Sequence, residues 1–403
     1  MELEYTVIRT PRPINNPGGS VVGLGADTDE LIKGLTAEDD ESWHIEHIKA
    51  QPYEMADLNR DARTVSITPA MPMRLIEPQA PASQVSSVSS KTRRVAWGIE
   101  AVEADRSVFT GKGVSVAVLD TGIKSNHPAF KGVSLLTQNF TTDVSAEDGN
   151  GHGTHCAGTI AGKDVNGLRI GVATDLDRLI IGKVLSDQGQ GSTTAIVQGI
   201  QWASLQGAQV ISMSLGIDFT AFVETLHEQQ GMELKAAVSL GLQAYSANVD
   251  MFDKLAESFS ALSFVGQGAL LVAAAGNESR RPAYSIATSP PAVAESILSV
   301  AAVDENFAAA SFSNTFADLS APGVDISSAG LDGGLAVLSG TSMAAPHVAG
   351  IAALWSQKML ENDAQLNIDR LKSTLYANLS PARDQAIPDL ENTGRGVIKA
   401  PLK

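Results

Sequence analysis

GVSVAVLD, residues 113–120, is almost wholly apolar and ends in an acid. A strand wetted on one face alternates apolar and polar residues, so a strand without alternation is covered on both faces. The same profile returns in RLIIGKVL (178–185), AQVISMSLG (208–216), GALLVAAAGN (268–277) and SILSVAAV (296–303). Between several of these runs lie helical stretches: HGTHCAGTIAG (152–162), TTAIVQGIQWASLQ (193–206) and a long one after 340. This alternation predicts an α/β fold, a doubly wound and mostly parallel sheet flanked by helices and joined by right-handed crossovers. Ligand chemistry in such a sheet gathers at the carboxyl ends of the strands.

Composition bounds the rest. The chain has 403 residues, 43% hydrophobic and 18% charged, which is the make-up of a packed globular protein. Its 29 Lys and Arg stand against 45 Asp and Glu, a formal net charge of −16 that repels a phosphate backbone and argues against nucleic acid as a partner. A lone cysteine excludes an intrachain disulfide and a Cys-rich zinc site. The apolar run VAGIAALW (348–355) is far too short to span a bilayer, so no membrane partner is expected. MELEYTVIRTPRPINNPGG (1–19) lacks the basic start and apolar core of a secretory signal, and a cytoplasmic location is expected.

Residues 1–80 differ from the rest of the chain. LEYTVIR (3–9) and RTVSIT (63–68) read as strands, and PYEMADLNR (52–60) as a short helix opened by Pro52. A small α+β domain over 1–80 is expected. Residues 81–92 form a linker, because the stretch PQAPASQVSSVSSKT (78–92) has almost no large apolar residue. The α/β domain then occupies 93–403. GGSVVGLG (18–25) follows no clear strand and lacks the Lys-Ser/Thr ending of a phosphate loop. In WHIEH (43–47) two histidines stand three apart with no supporting cluster, so an exposed helix is expected there rather than a metal site.

Three segments carry chemistry. VAVLDTGI (116–123) ends a strand in Asp120, and a buried carboxylate needs a partner. NGHGTHCAG (150–158) puts His152 in the first turn of a small-residue helix, with Cys156 one turn on along the same face. The two histidines of that segment are three apart with no acid to complete a metal motif. LSGTSMAAPHVAG (338–350) puts Ser342 at the start of a helix, near the positive end of its dipole. Singly these read as a turn acid, a structural histidine and an N-cap serine. Together they are the parts of a nucleophilic triad: a hydroxyl needs a base within reach, and the base needs an acid to hold it.

The order Asp120, His152, Ser342, with these three segments, resembles the subtilisin-like serine proteases over about 93–403. The α/β-hydrolase pattern fits poorly, since it needs Gly-x-Ser-x-Gly and the order Ser, Asp, His. The resemblance implies a serine endopeptidase working through an acyl-enzyme. Asp120 would orient, His152 would act as base and acid, and Ser342 would be the nucleophile. Asn277, closing AAAGN (273–277), would donate to the oxyanion together with the Ser342 N–H. Ser214, Leu215 and Gly216, with Ala274, Ala275 and Gly276 opposite, would line the cleft for a peptide or protein substrate. Cys156 would be a small buried apolar residue beneath the base. The same resemblance implies no cofactor for the chemistry. It suggests a structural calcium in the loop KDVNGLRI (163–170), where Asp164 and Asn166 offer oxygen. It further implies that the N-terminal region, whose RTVSITPAMPMRLIEP (63–78) resembles the last strand and tail of a prodomain, is an intramolecular inhibitor removed by self-cleavage within 77–94. Residues 217–265 make an insert beside the substrate edge, longer than a small family member carries, and its AFVETLHEQQGMELKAAVSLGLQAY (221–245) and VDMFDKLAESFSAL (249–262) look helical. A catalytically silent peptide-binding pseudoprotease is the alternative.

Overall fold

The computed structural model describes residues 2–9, 44–51, 53–79, 94–382 and 389–403. The linker at 81–92 and the glycine-rich stretch at 18–25 lie outside them.

The N-terminal region contributes β1 (Leu3–Arg9), β2 (His44–Ala50), the single turn α1 (Met55–Leu58) and β3 (Thr64–Pro69). These strands form an antiparallel sheet in the order β2-β1-β3. The histidine-bearing stretch at 43–47 is a correction to the sequence reading: from His44 on it is strand β2, with Ile48 opposite Tyr5 and Ile45 opposite Ile8. Pairing with β1 gives its backbone partners that an isolated short helix would lack. The two-residue period of a strand also sends His44 and His47 to opposite faces.

β4 (Pro72–Leu75) leaves this sheet and enters the body of the molecule. α2 (Trp97–Ala101), β5 (Ser115–Asp120), β6 (Leu135–Asn139), α3 (His152–Ala161), β7 (Arg178–Lys183), β8 (Gln190–Ser192), α4 (Thr193–Leu205), β9 (Val210–Met213) and β10 (Leu215–Ile217) come next. The insert comprises α5 (Phe219–Glu224), a π-helical turn at Thr225–Gln229 and the long α6 (Leu234–Ala261). Then come β11 (Leu270–Ala274), β12 (Leu298–Val303), β13 (Leu319–Pro322), the hairpin β14 (Ile326–Ala329) and β15 (Leu335–Leu338), α7 (Thr341–Leu360) and α8 (Ile368–Ala377).

The central sheet has seven strands in the order β13-β12-β11-β9-β5-β7-β6. Each neighbouring pair is parallel. β5, β9, β11 and β12 are buried at every residue, as their unbroken apolar runs require. β5 is flanked by β7 and β9, so the chain switches direction of winding at β5, and Asp120 ends that strand. Edge strands β6 and β13 escaped the sequence reading because LLTQN and LSAP are short and mixed in polarity. In the insert, the helical pattern breaks at 230–233, where Gly231 takes φ +70°, and Glu233 caps α6 through its side chain. Among the described residues no helix is long and apolar enough to cross a membrane.

Candidate active site

Asp120, at the end of β5, is fully buried and accepts through Oδ1 from the Thr121 N–H at 2.7 Å. The same oxygen pairs with His152 Nδ1 at 2.8 Å. His152 opens α3, and it is placed by a carboxylate the sequence reading passed over. Asp148 is buried and accepts from the Gly151 and Asn150 N–H groups, from the Thr154 N–H and hydroxyl, and from the Thr121 hydroxyl. One side chain thus caps the helix and ties it to the turn after β5. Gly153 lets the two segments close: a Cβ there would run into the Gly122 carbonyl oxygen. Lys183, also passed over, is buried beside Asp120 in the sheet. Its ammonium donates to the Thr121 carbonyl and pairs with Asp187 at 2.6 Å and Asp143 at 3.2 Å. A buried cation is tolerated only with such partners.

His152 is desolvated, which by itself disfavours its charge, but the adjacent Asp120 carboxylate outweighs this and raises its pKa well above 6.5. Its Nε2 is buried and has no hydrogen-bond partner among the described residues. His155 is a structural histidine: burial lowers its pKa to about 3, and its Nε2 meets the Ile326 carbonyl at 3.0 Å. Cys156 Sγ lies 3.8 Å from His152 Nδ1 and 3.3 Å from the Ser342 carbonyl oxygen, and burial pushes its thiol pKa up. It is a neutral packing residue under the imidazole.

Ser342 sits in the first turn of α7, behind the N-cap Gly340. Asn277 follows Gly276, whose φ of +114° turns the chain sharply at the end of β11. Thr341 fixes the Asn277 amide: its N–H and its hydroxyl both donate to Asn277 Oδ1 at 2.9 Å. The Nδ2 protons are thereby turned toward the cleft. Thr341 too escaped the sequence reading.

The cleft holds the protein's own residues 72–79. β4 lies antiparallel between β10 and β8, with Leu75, Arg74 and Met73 opposite Leu215, Gly216 and Ile217. The Ile76 N–H approaches the Ser214 carbonyl at 3.5 Å. The Ser342 hydroxyl donates to the Ile76 carbonyl at 3.2 Å. Asn277 Nδ2, however, donates to the carbonyl of the next residue, Glu77, at 2.9 Å. Past Pro78, the Gln79 N–H donates to the Ser339 carbonyl at 2.7 Å. Hydroxyl and amide therefore engage successive carbonyls rather than one.

Ser214, Leu215 and Gly216 thus lie against residues 74–76. Ala274, Ala275 and Gly276 are buried at the end of β11, leading into Asn277. Asp164 and Asn166 are exposed; the one group of three His, Cys, Asp or Glu side chains close enough to share a metal ion, among the described residues, is Asp120, His152 and Cys156. Around their loop, Lys163 Nζ donates to the Thr174 carbonyl, and the Arg169 guanidinium to the carbonyls of Ala104, Gly171 and Val172.

Residues 111–391 match the profile of the subtilase family, peptidase S8. A Paenibacillus polymyxa protein named intracellular serine protease is 37% identical over 305 residues, covering 73% of this chain and 82% of that protein. Subtilisin DY of Bacillus licheniformis is 36% identical over 289 residues, 70% of this chain and 91% of its own. Subtilisin Savinase of Lederbergia lenta is 39% identical over 300 residues, 70% and 95%. With the parallel sheet and the cleft in place, these matches settle the class: the chain belongs to the subtilase family and is a serine-type endopeptidase, acting on peptide substrates without a catalytic cofactor.

Proposed function

We propose that this chain is a self-inhibited zymogen of a serine endopeptidase whose triad is Asp120, His152 and Ser342. His152 Nε2 takes the Ser342 proton as Oγ attacks the substrate carbonyl carbon. The oxyanion accepts from Asn277 Nδ2 and the Ser342 N–H at the start of α7. The imidazolium, steadied by Asp120, then gives its proton to the leaving amine, and water releases the acyl group by the same steps in reverse. The Asp120–His152 bond, with Nε2 left free of other partners, supports this assignment of roles.

Residues 72–79 act as the inhibitor, and one observation carries this reading: the cleft is filled by a strand bound like substrate but out of step with the donors. A serine that donates its proton to the Ile76 carbonyl oxygen is not aimed at a carbonyl carbon. An oxyanion donor spent on Glu77 does not stabilise charge at Ile76. Pro78 beyond it carries no N–H and fixes the backbone. The segment is held without being cut where it crosses the serine, and the maturation cut falls further along, within 77–94. We read loop 163–170 as held by its own cations, since Lys163 and Arg169 already occupy the neighbouring carbonyls of Thr174, Ala104, Gly171 and Val172, and an ion there would need six to eight oxygens.

The test is the Ser342→Ala chain alone in pure solution, followed by intact mass. It should stay full length while the unaltered chain shortens within 77–94. Equal trimming of both overturns self-processing. A fluorophosphonate that labels Ser342 in the shortened form supports the enzyme; a folded chain that neither shortens nor takes the label supports the silent binder.

A further inference from the structure

The segment that fills the cleft is gripped by main chain well upstream of the serine. Asp218 N–H donates to the Pro72 carbonyl at 2.9 Å. Thr193 brackets Met71: its N–H donates to the Met71 carbonyl, and its hydroxyl accepts from the Met71 N–H, both at 3.2 Å. Further out, Asn248 on α6 of the insert donates through Nδ2 to the Pro69 carbonyl at 3.0 Å. Pro69 lies seven residues before Ile76. None of these bonds reads a side chain, so any extended polypeptide could make them.

Asn248 is fully buried, and its second Nδ2 proton goes to the Ala244 carbonyl at 2.8 Å. Its Oδ1 is buried with no partner among the described residues. A buried acceptor without a donor is costly. The occupant explains the missing donor: residue 69 is proline and has no N–H to offer. An ordinary residue at that place carries both a carbonyl and an N–H, the pair that an Asn amide can meet at once.

We propose that Asn248, with Thr193, forms an extended subsite that holds the main chain of a polypeptide substrate five to seven residues upstream of the residue facing Ser342. The insert thereby makes the enzyme favour long unfolded chains over short peptides. This rests on the reading that residues 72–79 lie where substrate lies and later leave. Once they leave, the same donors and the unpaired Oδ1 face substrate.

The experiment uses the full chain left to process itself, with intact mass reporting completion. Two peptides share the four residues before the cut, and one carries four more upstream. The longer should show kcat/KM about 5–20-fold higher, most of it in KM. Asn248→Asp, which removes the donors at constant size, and Asn248→Ala should each cut that ratio about 3–10-fold, the scale of one buried hydrogen bond. Proline at the outermost position of the long peptide should lose part of the gain with no change to the enzyme. A ratio near one, or a ratio unmoved by both variants, overturns the subsite. If no preparation cuts the short peptide, the zymogen reading has failed instead, and the grip is read on the full Ser342→Ala chain by hydrogen exchange. There Asn248→Asp should speed exchange at residues 70–73 about tenfold, and unchanged rates overturn it.

Discussion

The two main sheets of this protein obtain their cores in different ways. The seven-stranded sheet is covered on both faces by its own helices, and β5, β9, β11 and β12 expose nothing. The N-terminal sheet has a half-exposed β2, and the apolar residues it does bury, Leu3, Tyr5, Val7 and Ile8, pack in one cluster with Ile196, Ile200, Phe222 and Phe252 of the catalytic body. Among the described residues the core of this sheet is shared with the catalytic body rather than closed within the sheet itself. If residues 72–79 are the inhibitor as proposed, docking of the small sheet and occupation of the cleft would be linked, because both use this shared cluster. On the proposed reading, the large sheet keeps its core when the cleft segment leaves, and the contacts of the small sheet are the ones that must be undone.

The largest effect should fall on the side of the large sheet. Asp120→Asn should lower kcat about 10⁴-fold, a scale set partly by subtilisin itself. It should also move the acid limb of the pH–rate profile. The Asp120 carboxylate holds the His152 pKa well above 6.5, so the base is lost as pH falls through that raised value. Without the carboxylate the largest influence raising His152 is gone and burial gains weight, so the limb should move to lower pH. The raised pKa also means that the ion pair stabilises the fold below about pH 6.5, and that this contribution disappears as pH climbs through the folded-state value. The Tm penalty of Asp120→Asn should therefore be greatest in acid. A limb that stays put would separate the carboxylate from the base.

Asn277→Ala comes next, at about 10²–10³-fold in kcat, again subtilisin's own scale. It sharpens the comparison because Asn277 serves both regions: its Nδ2 holds Glu77 now and would hold an oxyanion later. Loss of turnover on short peptides should come with faster release of residues 72–79, seen as faster hydrogen exchange there. Slower turnover without looser binding would unlink the two roles.

The same contrast explains what could be read from residues alone. The parallel sheet was legible because burial on both faces leaves unbroken apolar runs, and the candidate triad residues stood out because each sits in a turn of small residues at a strand or helix end. Asp148, Lys183 and Thr341 were not legible. Each acts by meeting backbone groups brought from elsewhere in the chain, and an isolated Asp, Lys or Thr carries no mark of that. Strand β2 was misread for the same reason, since its partner β1 lies more than thirty residues upstream. The offset of the cleft segment against its donors also exists only in three dimensions; the sequence shows no more than LIEP.

A smaller effect probes the docked sheet. Ile8 is 2% exposed within the shared cluster, opposite Ile45. Ile8→Ala should cost about 2–5 kcal/mol, all of it charged to docking. Uncut chain should then show basal activity at least ~30-fold higher from the first minute, with the main thermal transition of the catalytic body little moved. Unchanged basal activity in a folded variant would mean that the cleft segment holds on without its sheet.

The smallest effect concerns the loop at 163–170, which is held by buried Val165, Leu168 and Ile170 together with the charges of Lys163 and Arg169. Lys163 and Arg169 bring their positive groups to carbonyl oxygens beside the loop, with Asp105 and Asp164 close enough to act on the guanidinium charge. A covalently tethered cation is never diluted away. Excess chelator should therefore shift the Tm by no more than about 1 °C, whereas Arg169→Ala, which strands three carbonyls, should lower stability by about 1–3 kcal/mol. A large fall in Tm on chelation, reversed by added calcium, would put a metal back into the large-sheet half and overturn the hold by its own cations.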